Sequence, residues 1–165
     1  MNLVPDYIFN AFDEASADFL ESIGVKSVIL DIDNTLEPYE NPTPGERVIT
    51  WLDSLKAKGI NTAIVSNNNW KRVNLFNKDL GMPAIAWGKK PFKVNVVRAM
   101  NMISAEKKST VFIGDQILTD VLAAHNAGIR AILVHPIKDK QGLFTRFKRL
   151  IERPFIKKYE KRAKK

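Results

Sequence analysis

Residues 27–36 read S-V-I-L-D-I-D-N-T-L, an apolar run that ends in two aspartates separated by a single residue. The aliphatic run predicts a strand that is buried on both faces, which is typical of an open parallel sheet. Asp31 and Asp33 then fall where that strand ends. Because ligands bind beyond the carboxyl ends of such strands, these carboxylates are placed for chemistry rather than for packing.

Strand and helix patterns alternate along the rest of the chain. Further strands are predicted at 60–66, 84–87, 110–114 and 130–135. Helices are predicted at 13–23, 43–58, 70–80, 93–102 and 119–127. This alternation predicts an α/β fold of the Rossmann-like type, with three α/β/α layers around a five-stranded parallel sheet.

The first two predicted helices lie on either side of the opening strand in the sequence. The first helix, 13–23, is expected to lead into the sheet before the opening strand. The sequence T-P-G-E at 43–46 has the pattern of a capping box, with Thr43 as the cap and Pro44 as the first helical residue.

Composition limits the class of protein. A chain of 165 residues with 45% hydrophobic content can form one domain with a proper core, but not two full domains. Cysteine is absent, which excludes disulfides and cysteine-ligated metals. The N-terminus lacks the pattern of a secretion signal, and no apolar run reaches the roughly 20 residues that span a bilayer. We therefore expect a cytoplasmic protein.

The net charge of +8 is concentrated at one end of the chain. Residues 138–165 carry 12 Lys and Arg against 3 Asp and Glu, which leaves a net −1 for residues 1–137. The pattern predicts an α/β domain over 1–137 and a basic amphipathic extension over 138–165. Pro154 divides this extension, so two helical halves are expected rather than one straight helix.

Three interpretations of the extension remain open. It could contact an anionic membrane surface peripherally at the inner face, or bind RNA through the same charges. It could also pack on the domain with a solvated basic face.

Polar side chains follow four of the predicted strands. They are Asp31 and Asp33, then Ser66 and Asn67, then Lys90, and finally Asp115 and Asp120. In a parallel sheet these strand ends meet at one edge, so the side chains are expected to converge on one crevice.

The motifs D-I-D-N-T-L, V-S-N-N, K-K-P and G-D-Q-I-L-T-D, in this order, resemble the four motifs of the haloacid dehalogenase (HAD) superfamily of phosphatases. The final T-D, the asparagine of D-x-D-N-T and the short chain resemble subfamily IIIA and its YqeG-type bacterial members. That group is similar to mitochondrial phosphatidylglycerophosphate phosphatases. The resemblance implies a HAD fold, and the short intervals between the motifs leave no room for a cap domain.

The resemblance also implies roles for individual residues. Asp31 would be the nucleophile that forms an aspartyl-phosphate, and Asp33 the general acid and base. Phosphate binding is implied for Ser66, Asn67 and Lys90. Mg²⁺ would be bound by Asp31, the backbone carbonyl of Asp33 and Asp115. Supporting roles are implied for Thr35 and Asp120, and Lys89 competes with Lys90 for the role of the catalytic lysine.

Together these observations predict a Mg²⁺-dependent phosphomonoester hydrolase. Phosphatidylglycerophosphate is the substrate that the resemblance suggests, because an uncapped site suits a phosphate presented on something large. A phosphatase of a nucleotide, sugar phosphate or phosphoprotein is the alternative among enzymes. From another class, the alternative is a phosphate-binding adaptor that its basic tail recruits to membrane or RNA. The oligomeric state is left open.

Overall fold

The computed structural model describes residues 2–138 and 143–163. The strands are β1 (Tyr7–Phe9), β2 (Ser27–Leu30), β3 (Asn61–Val65), β4 (Ala84–Ile85), β5 (Thr110–Gly114) and β6 (Arg130–Val134). The helices are α1 (Ala17–Ser22), α2 (Glu46–Ala57), α3 (Trp70–Asn77), α4 (Val94–Met102), α5 (Leu122–Ala127) and α6 (Leu143–Ala163). The strands form one parallel sheet in the order β1-β6-β5-β2-β3-β4. The predicted α/β fold is confirmed.

The sheet has six strands instead of the five that we predicted. The additional strand, β1, lies at the edge and pairs with β6 in parallel, from Tyr7 opposite Ile132 to Phe9 opposite Val134. Three residues are too few to show an alternating or continuous apolar pattern, so sequence periodicity could not reveal this strand.

Helices cover both faces of the sheet, which confirms the three-layer arrangement. On one face, α1, α2 and α3 contribute Leu20, Leu55 and Phe76 to a core whose members are almost fully buried. On the other face, α4 and α5 pack Val96 and Ala124 against the sheet. The central strands β2 and β5 are buried along their whole length. The carboxyl ends of these central strands therefore hold any side chain that follows them in a rigid position.

The capping box predicted at 43–46 is wrong. Helix α2 begins at Glu46, and its N-cap residue Gly45 makes no side-chain cap. Instead, the buried carboxylate of Glu37 accepts hydrogen bonds from the Gly45 backbone N–H at 2.7 Å and from Asn41 at 2.8 Å. A carboxylate eight residues earlier in the chain therefore satisfies the donor at the start of this helix.

Two other predicted helices are divided. The lead-in segment consists of a 3₁₀ turn at Phe12–Glu14 followed by α1, whose N-cap Ser16 accepts from the Phe19 N–H at 3.1 Å. The segment after β5 begins with a π-helical turn at Ile117–Val121 and continues as α5.

The C-terminal extension forms one helix, α6, with Pro154 inside it, so the predicted division into two halves is wrong. Contacts on both sides of Pro154 join α6 to the domain. Glu152 accepts from the Ile117 N–H at 3.3 Å, and Phe155 and Ile156 pack against the core beneath α4 and α5. Residues 139–142, 164 and 165 and the side chains at 143–151, on which much of the predicted amphipathic pattern depends, lie outside the described residues.

Among the helices that the structure describes, none has both the length and the apolar character needed to cross a bilayer.

Candidate active site

A pocket of about 280 Å³ opens at the edge of the sheet where β2, β3, β4 and β5 end. It is lined by Asp31, Asp33, Ser66, Asn67, Asn68, Lys90, Gln116 and Thr119. The structure thus brings together five residues that the sequence marked as candidates. Asn68, Gln116 and Thr119 are additional.

Lys90 lies at the bottom of this site and is almost completely buried. Its Nζ lies 2.7 Å from Asp31 Oδ1 and 2.8 Å from Asp120 Oδ1. Burial by itself lowers the pKa of Lys90, but the charges of Asp120 and Asp31 outweigh it and raise the pKa above its usual value. Lys90 therefore remains an ammonium group. The side chain of Lys89, the competing candidate, is exposed.

Asp31 is held in a strained electrostatic state. Its pKa is raised to about 6, because burial and, to a smaller extent, the carboxylates of Asp120 and Asp33 outweigh the opposing effect of the Lys90 ammonium. The ionised form is thus disfavoured, because one lysine does not fully compensate for the loss of water around several acids. An additional cation at this position would stabilise the ionised carboxylate.

Three buried carboxylates could hold such a cation. Asp31, Asp115 and Asp120 each present an oxygen within 4.8 Å of the others. All three side chains are buried, and Lys90 is the cation that contacts two of them. A cluster of oxygen ligands with excess negative charge fits a hard divalent cation such as Mg²⁺. The predicted ligands Asp31 and Asp115 belong to this cluster.

The side chain of Asp33 points elsewhere, to a pair of donors that the sequence analysis missed. Arg72 Nε donates to Asp33 Oδ1 at 2.8 Å, and Asn68 Nδ2 donates to Asp33 Oδ2 at 2.8 Å. Arg72 is buried and also donates to the carbonyl oxygen of Pro42 at 3.0 Å. Arg72 on α3 therefore joins two parts of the loop after β2, Asp33 and Pro42. In the sequence, Lys71 and Arg72 form a basic pair of the kind that is usually solvated. Only the burial of Arg72 in the structure reveals its contact with Asp33.

Ser66 and Asn67 begin the loop after β3. Ser66 is buried, and its Oγ accepts from the Asn68 N–H at 3.1 Å. Asn67 Oδ1 accepts from the Lys90 N–H at 2.8 Å, while Asn67 Nδ2 donates to the Lys90 carbonyl at 3.2 Å. Asn67 thus holds the backbone of Lys90 in place, and its binding of phosphate stays a prediction.

The two supporting residues lie beside the charged cluster. Thr35 is buried, and its Oγ1 lies 3.5 Å from Asp115 Oδ1. Asp120 Oδ2 accepts from the Gln116 N–H at 3.0 Å while Oδ1 contacts Lys90. The π-helical turn after β5 therefore aims the Asp120 carboxylate at Lys90.

Gly114 makes this placement of Asp120 possible. A Cβ atom at Gly114 would lie 2.5 Å from the Asp120 carboxylate, so we expect Gly114→Ala to displace Asp120 and, through it, Lys90. Overpacking of this kind costs about 1–3 kcal/mol, and misplacing the reacting groups lowers kcat/KM by about tenfold or more. Thermal unfolding and hydrolysis of an aryl phosphate measure the two effects.

Gly24→Ala is the matched control for that substitution. Gly24 has a φ of +74° with no atom within 4 Å of an added Cβ, and it precedes β2 at the opposite edge of the sheet. We expect it to lose about 1 kcal/mol of stability from backbone strain and no activity. Equal losses of activity in both variants would contradict the proposed effect on Asp120.

Comparisons with known proteins found similar chains and structures. Residues 88–142 match the family described as HAD-hydrolase-like. The chain is 39% identical over 153 residues to the probable phosphatase YqeG of Bacillus subtilis (strain 168), a match that covers 93% of this chain and 89% of that protein.

Two solved structures share the fold. A HAD-superfamily hydrolase from Ehrlichia chaffeensis has a TM-score of 0.57 at 21% identity, covering 78% of this chain and 96% of that one. The cobalt-bound form of deoxy-D-mannose-octulosonate 8-phosphate phosphatase from Haemophilus influenzae has a TM-score of 0.56 at 19% identity, covering 81% and 90%.

Proposed function

Because this chain belongs to the YqeG-type phosphatases of the haloacid dehalogenase superfamily, we propose that it is a Mg²⁺-dependent phosphomonoesterase whose nucleophile is Asp31. The observation that best supports this role is the ion pair of the buried Asp31 with Lys90 at the bottom of an open pocket. Lys90 carries a positive charge next to the nucleophile, where it can also neutralise phosphoryl oxygens.

In the first half of the proposed reaction, an oxygen of Asp31 attacks phosphorus and the bond from phosphorus to the ester oxygen breaks. Asp33 in its protonated form gives its proton to that leaving oxygen. Ser66 donates its hydroxyl hydrogen to a phosphoryl oxygen, and nearby backbone N–H groups that are not already hydrogen-bonded donate to the others. The products of this half are the free alcohol and an aspartyl-phosphate on Asp31.

In the second half, Asp33 takes a proton from water as the water oxygen attacks the phosphorus of the aspartyl-phosphate. The bond from phosphorus to Asp31 breaks, which releases inorganic phosphate and restores both aspartates. The contacts of Asp33 with Arg72 and Asn68 suit this half, since both of its oxygens accept hydrogen bonds as an ionised carboxylate does. To enter the first half in its protonated form, Asp33 has to give up part of this contact.

Mg²⁺ would be held by Asp31 and Asp115, with the Asp33 backbone carbonyl as the further ligand that the family implies. When bound, it supplies positive charge that stabilises the ionised Asp31 and the transferring phosphoryl group. Asp120 would orient Lys90 beside these ligands.

EDTA provides the test of metal dependence. We expect it to abolish hydrolysis of p-nitrophenyl phosphate and Mg²⁺ to restore it, because the three buried carboxylates then recover their counter-charge. Mg²⁺ should also raise the unfolding temperature of the metal-free protein, since a ligand that binds only the folded state stabilises it. Hydrolysis unaffected by EDTA would contradict the proposal.

The substrate class that we propose is a phosphatidylglycerophosphate-type lipid. The open pocket, without an inserted domain between the motifs, supports access for a phosphate on a large carrier. The measurement is a comparison of kcat/KM for phosphatidylglycerophosphate with that for nucleotides, sugar phosphates and phosphopeptides. A higher kcat/KM for any of the soluble substrates would contradict the lipid assignment while leaving the phosphatase chemistry intact.

A further inference from the structure

The exposed aromatic side chains that the structure describes all follow strand ends beside the pocket. Among the side chains that the structure describes, the exposed aromatic ones are Tyr39 (50%), Trp70 (51%), Trp87 (56%) and Phe92 (70%). All of them follow the carboxyl ends of strands β2, β3 and β4, the edge at which the pocket opens. Val94 (70%), the first residue of α4, and Ile137 (45%), which follows β6, are exposed as well. We call these six residues the apolar rim.

Backbone contacts place two residues of the rim beside the pocket. The Trp87 N–H donates to the carbonyl of Asn68, a pocket residue, at 2.8 Å. The Ile137 N–H donates to the carbonyl of Asn34 at 3.0 Å, one residue after Asp33. On the Lys90 side, Phe92 lies two residues from that lysine. Trp87, Phe92 and Ile137 therefore lie in segments that border the pocket, and the other rim residues follow the same strand ends or begin α4.

The rim is also basic. Lys71, Lys89 and Lys93 are exposed and stand next to or between Trp70, Trp87 and Phe92 in the chain. An ion pair next to the rim adds no net charge: Lys138 Nζ lies 3.6 Å from Glu40 Oε2, so the two charges offset each other. Exposed aromatic residues interleaved with lysines are typical of protein segments at the interface between water and an anionic membrane.

We propose that the apolar rim docks on the surface of an anionic lipid bilayer and presents the mouth of the pocket to phosphorylated headgroups. This proposal adds a membrane partner to the proposed function and rests on that function, since the docked site would act on lipids in the plane of the membrane. The aromatic and aliphatic side chains enter the interface, while the three lysines contact anionic headgroups.

Charge and side-chain chemistry favour this partner over two others. A second copy of the same surface would bring like charges together, which opposes a symmetric dimer. Single-stranded RNA would use the lysines and stack on the aromatic rings, but Val94 and Ile137 offer no stacking face. A bilayer would contact the aromatic side chains, the aliphatic side chains and the neighbouring lysines together. This surface is distinct from the basic helix α6, whose Phe155 and Ile156 pack on the domain.

The test measures co-sedimentation of the full chain with phosphatidylcholine vesicles that contain or lack phosphatidylglycerol. Phosphatidylglycerol carries no cleavable phosphomonoester, so binding is measured independently of catalysis. We expect binding only to the anionic vesicles. Trp87→Asn/Phe92→Ser should lower the partition coefficient by about tenfold or more, because two interfacial aromatic side chains are lost. Asparagine suits the φ of +50° at residue 87.

Two further variants keep the test decisive. Leu75→Ser/Met102→Ser removes two side chains that are 41% and 49% exposed on α3 and α4, outside the rim, and should bind as wild type does. Lys89→Glu/Lys93→Glu should weaken binding and its salt dependence. The proposal is overturned if wild type does not bind, if both rim variants bind as wild type does, or if the rim variants lose affinity for single-stranded RNA but not for vesicles. If the protein binds as expected but hydrolyses no lipid phosphate, the substrate assignment fails and the docking surface stands.

Discussion

Asp31→Asn is expected to lower kcat for aryl phosphate hydrolysis by about a thousandfold or more, because an amide cannot act as the nucleophile that forms the phosphorylated intermediate. The substitution preserves the size and shape of the buried side chain, so the pocket should remain intact. Single-turnover and steady-state hydrolysis of p-nitrophenyl phosphate measure the loss. A variant as active as wild type would show that Asp31 is not the nucleophile.

The same substitution should leave the metal-free protein as stable as wild type or more stable. Burial raises the pKa of Asp31 to about 6, so the folded state binds a proton more tightly than the unfolded chain does. The stability of metal-free wild type therefore falls as pH rises from about 4 to about 6, and this cost, on the order of 1–3 kcal/mol, persists at neutral pH.

Asparagine carries no such cost. The difference in unfolding free energy between Asp31→Asn and wild type should thus be larger at pH 7.5 than at pH 4.5. The matched control is Asp53→Asn on the exposed face of α2, which should change neither activity nor stability measurably. If metal-free Asp31→Asn unfolds more easily than metal-free wild type at pH 7.5, the electrostatic account is contradicted.

Lys90→Met is expected to have the second large effect, on stability and on activity together. It leaves Asp31 and Asp120 buried without the ammonium that lies 2.7 and 2.8 Å from them. Removing one partner of a buried ion pair costs about 3–5 kcal/mol. Hydrolysis should also be lost, because the positive charge beside the nucleophile is gone. Chemical denaturation and aryl phosphate hydrolysis measure the two losses.

The double variant Lys90→Met/Asp120→Asn separates the two effects. Removing the second charge should recover a substantial part of the lost stability, but it cannot restore the cation that hydrolysis requires. Lys89→Met is the control for stability, since its exposed side chain should leave the unfolding free energy within about 0.5 kcal/mol of wild type. Loss of hydrolysis in Lys89→Met but not in Lys90→Met would contradict the assignment of Lys90.

Sequence patterns predicted the elements whose signal is local and strong. Strands β2 and β5 are buried on both faces, so they appear as continuous apolar runs. Polar residues at their ends are conspicuous for the same reason, and this places Asp31 and Asp115 at one edge of the sheet. The three-residue edge strand β1 was missed because its local signal is weak, and helix α6 was misjudged because Pro154 predicts a division that the helix does not have.

The local sequence also misled where a distant side chain competes for a backbone group. The capping pattern at 43–46 is complete in the sequence, yet Glu37 occupies the Gly45 N–H at 2.7 Å, and α2 begins at Glu46. A pattern of neighbouring residues cannot include a carboxylate brought in by the preceding loop.

The sequence by itself determined the α/β class, the order of five of the six strands along the chain, and the acids, serine and lysine at the strand ends, because burial imposes periodic apolar patterns. Only the tertiary structure decided that Lys90 rather than Lys89 enters the pocket, and that Arg72 and Asn68 hold Asp33. It also decided which of the aromatic side chains in the described part of the chain are exposed, and these follow the strand ends at which the pocket opens. These features depend on which side chains meet across loops far apart in the chain, and on which of two adjacent lysines is buried. Local patterns do not carry that information.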